Sequence, residues 1–270
     1  MKLAGPIDLP HSLQGGQAFL WRREGDSFVG RIEGRAVVLR GDGTNVAATG
    51  APRRAFERYF RIEPADAARR LRLARDEAIA PGLAAMPGLR LLRQDPWETT
   101  VAFLTSANNN VLRIEGILRA LADADGALPA PGALARMRES TLRAAGLGYR
   151  APFLRASARM IAKGDVDLDA LRGASWDEAR EALLRLPGVG PKVADCIALF
   201  SLDVDEAFPV DRWILRAASE VAGRTLRAPE AVAWARERWG ADAGLAQQYL
   251  FHAVRLRAGA PGARRLSPRA

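Results

Sequence analysis

The chain has 270 residues, 49% of them hydrophobic and 26% charged, enough apolar mass for one large or two small globular domains. Its formal charge of +9 points toward a polyanionic partner, although five arginines and no acid fall in residues 255–270. One cysteine, Cys196, and two histidines, His11 and His252, exclude a disulfide framework, a four-cysteine iron–sulfur cluster and a histidine-rich metal centre.

The N-terminal Met1-Lys2-Leu3-Ala4-Gly5-Pro6 reaches a proline before an export-type apolar stretch can form, and no apolar run is long enough to span a membrane. The expectation is an intracellular protein, in the cytoplasm or nucleoid if the source is bacterial. From Phe19 to Thr49 short strands alternate with turns: Phe19-Leu20-Trp21, Phe28 to Ile32 and Ala36 to Leu39, with Gly25-Asp26 and Glu33-Gly34 between them. These predict an antiparallel meander. Residues 52–80 switch to helical periodicity, and Pro81-Gly82 and Pro87-Gly88 punctuate the way to a boundary near residue 90.

Beyond that point the reading is almost entirely helical. Asp95-Pro96-Trp97-Glu98 supplies an N-cap, a first-turn proline and an acid at the third position of a helix that ends at Ser106 to Asn110. Val111, Ile114, Leu118 and Leu121 repeat at helical spacing, a further helix is expected over Leu134 to Ala145, and Gly146 to Arg150 breaks the chain again. The fold class is therefore α+β, mostly α. An antiparallel β domain with helices spans residues 1–90, a helical domain spans 91–258, and 259–270 reads as a disordered basic tail.

Only three of the forty basic residues are lysines, Lys2, Lys163 and Lys192, so a lysine here can mark chemistry that arginine cannot do: losing its proton and attacking carbon. Lys192 has local support. Ser175 and Glu178 form a capping box for one helix, Leu186-Pro187-Gly188-Val189-Gly190-Pro191 turns sharply, and a second helix opens at Lys192, giving a helix-hairpin-helix over about 178–201. Unblocked amides beside a helix start suit a DNA phosphate, while an ordinary glycine-rich turn is the alternative. Nineteen residues after Lys192, Asp211 stands at the N-cap of another helix in Phe208-Pro209-Val210-Asp211-Arg212-Trp213.

Taken together, these motifs resemble the helix-hairpin-helix (HhH-GPD) DNA glycosylases, and within them the 8-oxoguanine DNA glycosylase/AP lyase branch. Gly16-Gln17-Ala18-Phe19-Leu20-Trp21, Arg93-Gln94-Asp95-Pro96, Asn108-Asn109-Asn110 and Gly146-Leu147-Gly148-Tyr149-Arg150-Ala151 extend the resemblance over about residues 6–258 in the same order. There are departures: Ala18 and Leu20 replace a serine or cysteine and an arginine, and Trp213 stands where a histidine is frequent. The cluster-bearing branches need four cysteines, and the alkyl-base branch lacks the lysine, so both recede.

The resemblance implies an enzyme that flips 8-oxoguanine out of double-stranded DNA, cuts its glycosidic bond through a lysine Schiff base and nicks the strand by β-elimination. Lys192 is the implied nucleophile and Asp211 the carboxylate that steadies the developing positive charge. Gly16, Cys196, Gln247 and Phe251 would line the base pocket. Asn108 would fill the vacated stack, Arg113 and Arg150 would hold the orphaned base beside Tyr149, and Gly188, Val189 and Gly190 would grip a phosphate. His252, next to Phe251, is given no role. No cofactor is required, a monovalent cation at the hairpin and a monomer acting on DNA with oxidised guanine are implied, and no iron–sulfur cluster is expected. Two alternatives stay open: the same chemistry on another damaged base, and a non-catalytic DNA-binding module.

Overall fold

The computed structural model describes residues 1–41, 43 and 45–257; the expected basic tail lies outside the described residues. Five strands, β1 (Lys2–Leu3), β2 (Arg22–Glu24), β3 (Ser27–Ile32), β4 (Arg35–Gly41) and β5 (Val46–Thr49), form one antiparallel sheet in the order β1-β5-β4-β3-β2. The turns fall where the sequence puts them. Glu33 and Gly34 both take positive φ, 49° and 73°, the geometry of a two-residue hairpin turn, and set the register Ile32↔Arg35.

The first expected strand is not one. β2 begins only at Arg22, because Phe19 is drawn into the helical core, edge-on to Phe103 at 5.5 Å, and Trp21 lies over Gly30. A Cβ on Gly30 would stand 2.5 Å from the Trp21 ring. The segment therefore crosses between two cores instead of pairing with β3. α1 (Leu9–Leu13) and α2 (Arg53–Tyr59) cover the sheet: Phe56 and Phe60 are buried with Phe28, Val37 and Leu39, and the Trp21 indole donates to the Tyr59 hydroxyl at 2.7 Å.

α3 (Pro64–Leu73) and α4 (Ala80–Ala85) lead into the helical part: α5 (Pro96–Ser106), α6 (Val111–Leu121), α7 (Pro131–Arg136), α8 (Glu139–Leu142), α9 (Ala151–Lys163), α10 (Trp176–Leu184), α11 (Pro191–Ser201), α12 (Arg212–Ala222), α13 (Ala228–Trp239) and α14 (Ala243–Arg257). The helix expected over 134–145 is broken. Met137 is extended between α7 and α8, and residues 143–147 form a single wide turn that Gly146 ends with φ +99° against Ile117.

Polar contacts stitch the two parts together. The Gln17 amide donates to the Arg90 carbonyl at 2.7 Å and accepts from the Leu92 amide at 3.0 Å, pinning the segment that carries Gly16 to the chain entering α5. Arg61, 2% exposed, pairs with Asp203 and Asp205 beyond α11. Leaving that charge unpaired in the interior would cost several kcal/mol, of the order of 3–5, so the pairing fixes how the sheet layer meets α11.

Candidate active site

Three residue groups meet at helix starts. Ser175 and Glu178 close the expected capping box on α10, and Gly190 caps α11 with Pro191 and Lys192 as its first two residues. Gly188 holds φ +83°, and a Cβ there would stand 2.8 Å from the Phe153 Cβ, so the hairpin packs directly on α9. Ser157 on α9 donates to the Pro187 carbonyl at 2.9 Å and fixes the turn from below. Val189 is buried, whereas Gly188 and Pro191 are exposed, so the turn presents backbone to solvent.

The Lys192 amine is half-buried, 5.1 Å from the centre of the Phe103 ring on α5. One turn further along α11, Cys196 is 3% exposed. Burial pushes its thiol up to about 11, opposed by the positive charge of Lys192 and reinforced by the charges of Asp195 and Asp211. The charges of Lys192 and Asp211 are thus both felt at the Cys196 thiol. Asp211 spends a single oxygen on its cap: Oδ1 accepts from the Trp213 and Ile214 amides at 2.9 and 2.8 Å.

Two of the residues expected in the base pocket, Gln247 and Phe251, lie on α14. Gly244 is forced by packing, since a Cβ there would stand 2.1 Å from Leu199 and 2.7 Å from the Asp205 carbonyl, and this close approach sets α14 against α11. Gln247, 5% exposed, donates to the Pro209 carbonyl at 3.2 Å, two residues before Asp211. Its own oxygen accepts from Gln248 at 2.7 Å. Phe251 is half-buried, edge-on to His252.

On the rim, Asn108 adopts φ +49° and its amide nitrogen lies 3.4 Å from the Tyr149 hydroxyl. Arg150 is buried, stacked on Tyr149 at 4.3 Å, and donates to the carbonyls of Ala107 (Nε at 2.8 Å) and Asn108 (3.2 Å). Its fork is committed to holding the Asn108 loop. Arg113 is exposed on α6, whose N-cap Asn110 accepts the Arg113 amide at 3.0 Å.

Sequence reasoning missed three participants. Phe103 floors the lysine, Gln248 orients the Gln247 amide, and the third is a histidine; Arg150 was expected at this rim, with its fork now seen on the loop carbonyls. His252, assigned no role, is buried beneath Gly15, where a Cβ would come within 2.6 Å of its ring, and it meets His11 edge-on at 5.3 Å. Gly15 and Gly16 are thus both constrained, the first by packing and the second by φ +94°. The pairing of the only two histidines was the one available signal. A cleft of about 650 Å³ between the sheet and α5 is lined by Trp21, Tyr59, Glu98 and Phe103 but by neither Lys192 nor Asp211.

Among known proteins, the family model for the 8-oxoguanine DNA glycosylase N-terminal domain matches residues 2–100. A probable N-glycosylase/DNA lyase of Methanothermobacter thermautotrophicus is 36% identical over 212 residues, 67% of this chain and 68% of that protein. The chain belongs to the N-glycosylase/DNA lyase family of 8-oxoguanine DNA glycosylases. The Arabidopsis thaliana N-glycosylase/DNA lyase OGG1 is 40% identical over 190 residues, 61% of this chain and 51% of that protein. A crystal structure of the Clostridium acetobutylicum 8-oxoguanine glycosylase/lyase, in complex with dsDNA containing cytosine opposite 8-oxoG, has TM-score 0.85 at 27% identity, covering 94% of this chain and 92% of that one. The family fold accounts for the sheet, the hairpin and the order of the motifs alike.

Proposed function

We infer that this chain is a DNA glycosylase with AP lyase activity that removes 8-oxoguanine from duplex DNA, with Lys192 as its nucleophile. The observation that carries the assignment of residues is the half-buried Lys192 at the start of α11, its amine 5.1 Å from the Phe103 ring, with Asp211 at the start of α12 spending only one carboxylate oxygen on its cap.

The target C1′ is inaccessible in a stacked duplex, so the nucleotide must be extruded first. The unprotonated Lys192 amine forms a bond to C1′ as the bond to the base nitrogen breaks, and the base leaves with that electron pair and takes up a proton. Positive charge developing on the sugar is met by Asp211, whose Oδ2 is not used by the helix cap. Opening of the sugar ring gives an imine between Nζ and C1′. Loss of a C2′ proton then expels the 3′ phosphate, which nicks the strand, and water hydrolyses the imine to restore the lysine.

Gly16, Cys196, Gln247 and Phe251 are assigned to the base pocket, Asn108 to the vacated stack, and Arg113 with Tyr149 to the orphaned base. Arg150 is assigned to holding the Asn108 loop, from which direct base contact passes to Arg113. The 188–190 turn carries no acidic side chain, and its neutral backbone carbonyls suit a structural monovalent cation, which no chemical step requires. All these groups lie on one chain, so the assignment needs only a monomer. A DNA substrate implies action inside the cell, and no helix among the described residues is long and apolar enough to cross a membrane.

Borohydride trapping on duplexes that differ only in the lesion tests this reading. The wild-type chain is expected to give a covalent adduct with 8-oxoguanine opposite cytosine. Lys192→Gln should bind that duplex within about threefold of wild type, since phosphate contacts dominate affinity, yet release no base and trap no adduct. Adducts only on other lesions would move the substrate assignment, and normal excision by Lys192→Gln would remove Lys192 from the mechanism.

A further inference from the structure

The outer face of α6 is built for contact with something outside the chain. Leu112, its second residue, is 78% exposed, more than any other large hydrophobic side chain among the described residues. One turn further on the same face stands Gly116, exposed, with nothing within 4 Å of the position its Cβ would take. Its backbone is helical, not left-handed, so neither packing nor conformation calls for glycine there. Glycine is a poor choice in mid-helix, and alanine would serve the isolated fold better.

Both residues adjoin the rim already described. Asn108 and the N-cap Asn110 immediately precede Leu112, Arg113 follows it, and the Asn108 amide lies 3.4 Å from the Tyr149 hydroxyl. An extruded nucleotide leaves an unstacked step whose flanking base faces and deoxyriboses are apolar. Asn108 can satisfy hydrogen bonds in that gap but cannot replace the lost stacking on both sides. An apolar side chain beside it can, as wedge residues do when they enter an unstacked step. The start of α6 also attracts phosphate.

We propose that Leu112 is an apolar wedge against the strand opposite the extruded nucleotide, next to the orphaned base, and that Gly116 leaves α6 bare so that this strand's backbone can lie directly on the helix. The proposal rests on the base-extrusion reading above. The continuity of this face with Asn108, Arg113 and Tyr149 selects the occupant as DNA.

Leu112→Ala and Gly116→Ala test it in the full chain, on a duplex carrying a tetrahydrofuran abasic analogue opposite cytosine, with 2-aminopurine beside that cytosine as a reporter of unstacking. Leu112→Ala should weaken binding at least about fivefold and suppress the fluorescence rise, with an unchanged melting temperature. Leu71→Ala, a 70% exposed leucine on α3, is the matched control and should change neither. Gly116→Ala should melt higher than wild type while binding more weakly, two effects of opposite sign that a merely structural role would not produce. Unchanged affinity and fluorescence for Leu112→Ala would overturn the wedge, and unchanged binding by a stabilised Gly116→Ala would overturn the backbone contact. Failure of the wild-type chain to prefer the abasic duplex over undamaged DNA would instead overturn the extrusion reading, which the variants do not address.

Discussion

Asp211 has a structural task and, on the proposed mechanism, a catalytic one, which a pair of substitutions separates. Its Oδ1 caps α12 by accepting two backbone amides, and its charge is assigned to the developing sugar cation. Asp211→Ala loses both. Removing an N-cap acceptor costs about 1 kcal/mol, within a range of roughly 0.5–2. Asp211→Asn keeps an oxygen for the same two amides and should fold within about 0.5 kcal/mol of wild type, but it places a neutral NH2 where the second carboxylate oxygen stood. Losing a preorganised charge aimed at a transition state costs about 3–4 kcal/mol, or 10²–10³ in rate. The expected result is two variants of different stability and similarly low single-turnover excision rates at saturating enzyme, with duplex affinity nearly unchanged. Urea denaturation supplies the stability axis. An Asn variant excising within tenfold of wild type, or rates that follow stability across both variants, would show that Asp211 matters as a cap and not as a charge.

Two further outcomes follow from the buried carboxyl and the glycine turn. Burial pushes the Glu98 carboxyl up to about 7, helped by Asp95 and opposed by Arg31, so folding favours its protonated form. That contribution is complete below the unfolded value near 4.5 and disappears as pH rises through about 7. Stability to urea should therefore fall over this window by at most about 3.4 kcal/mol from this group. Asp195, raised to about 6 by burial against the pull of Trp176 and Arg180, deepens the lower part of the same fall. Glu98→Gln should flatten the upper part, and an undiminished slope between pH 6 and 7.5 would discharge Glu98. At Gly16, where φ is +94°, alanine is strained. Gly16→Ala should slow 8-oxoguanine excision at least about tenfold, equivalent to roughly 1.4 kcal/mol, while trapping at a preformed abasic site stays nearly intact. Equal losses on both substrates would show a general distortion instead of lesion reading.

What the sequence discloses and what it withholds divide along a physical line. The starts of α5, α10 and α12 were legible because a cap is a local event: Asp95, Ser175 and Asp211 each bond amides two or three residues away, and the start of α11 was legible from the equally local Gly190-Pro191 turn. Lys192 and Asp211 stand at such starts, and Asn108 lies just before one. The residues assigned to the base pocket were legible only by resemblance, because packing over long separations sets their places. Gln247 meets Pro209 38 residues away, His252 meets His11 across the whole chain, and Phe19 is pulled out of the sheet by Phe103. Arg150 shows the same limit, since nothing local indicates that its fork closes on carbonyls 42 and 43 residues back. The coincidence of legibility and function has a cause. A helix start exposes amides that a short polar side chain must satisfy, and those same amides and their dipole face an anionic polymer favourably. An enzyme that must grip phosphate, hold an amine and oppose a cationic sugar can therefore draw its reacting groups from helix starts, where sequence leaves its clearest marks. The parts that distinguish one base from another need concavity, and concavity is a property of packing.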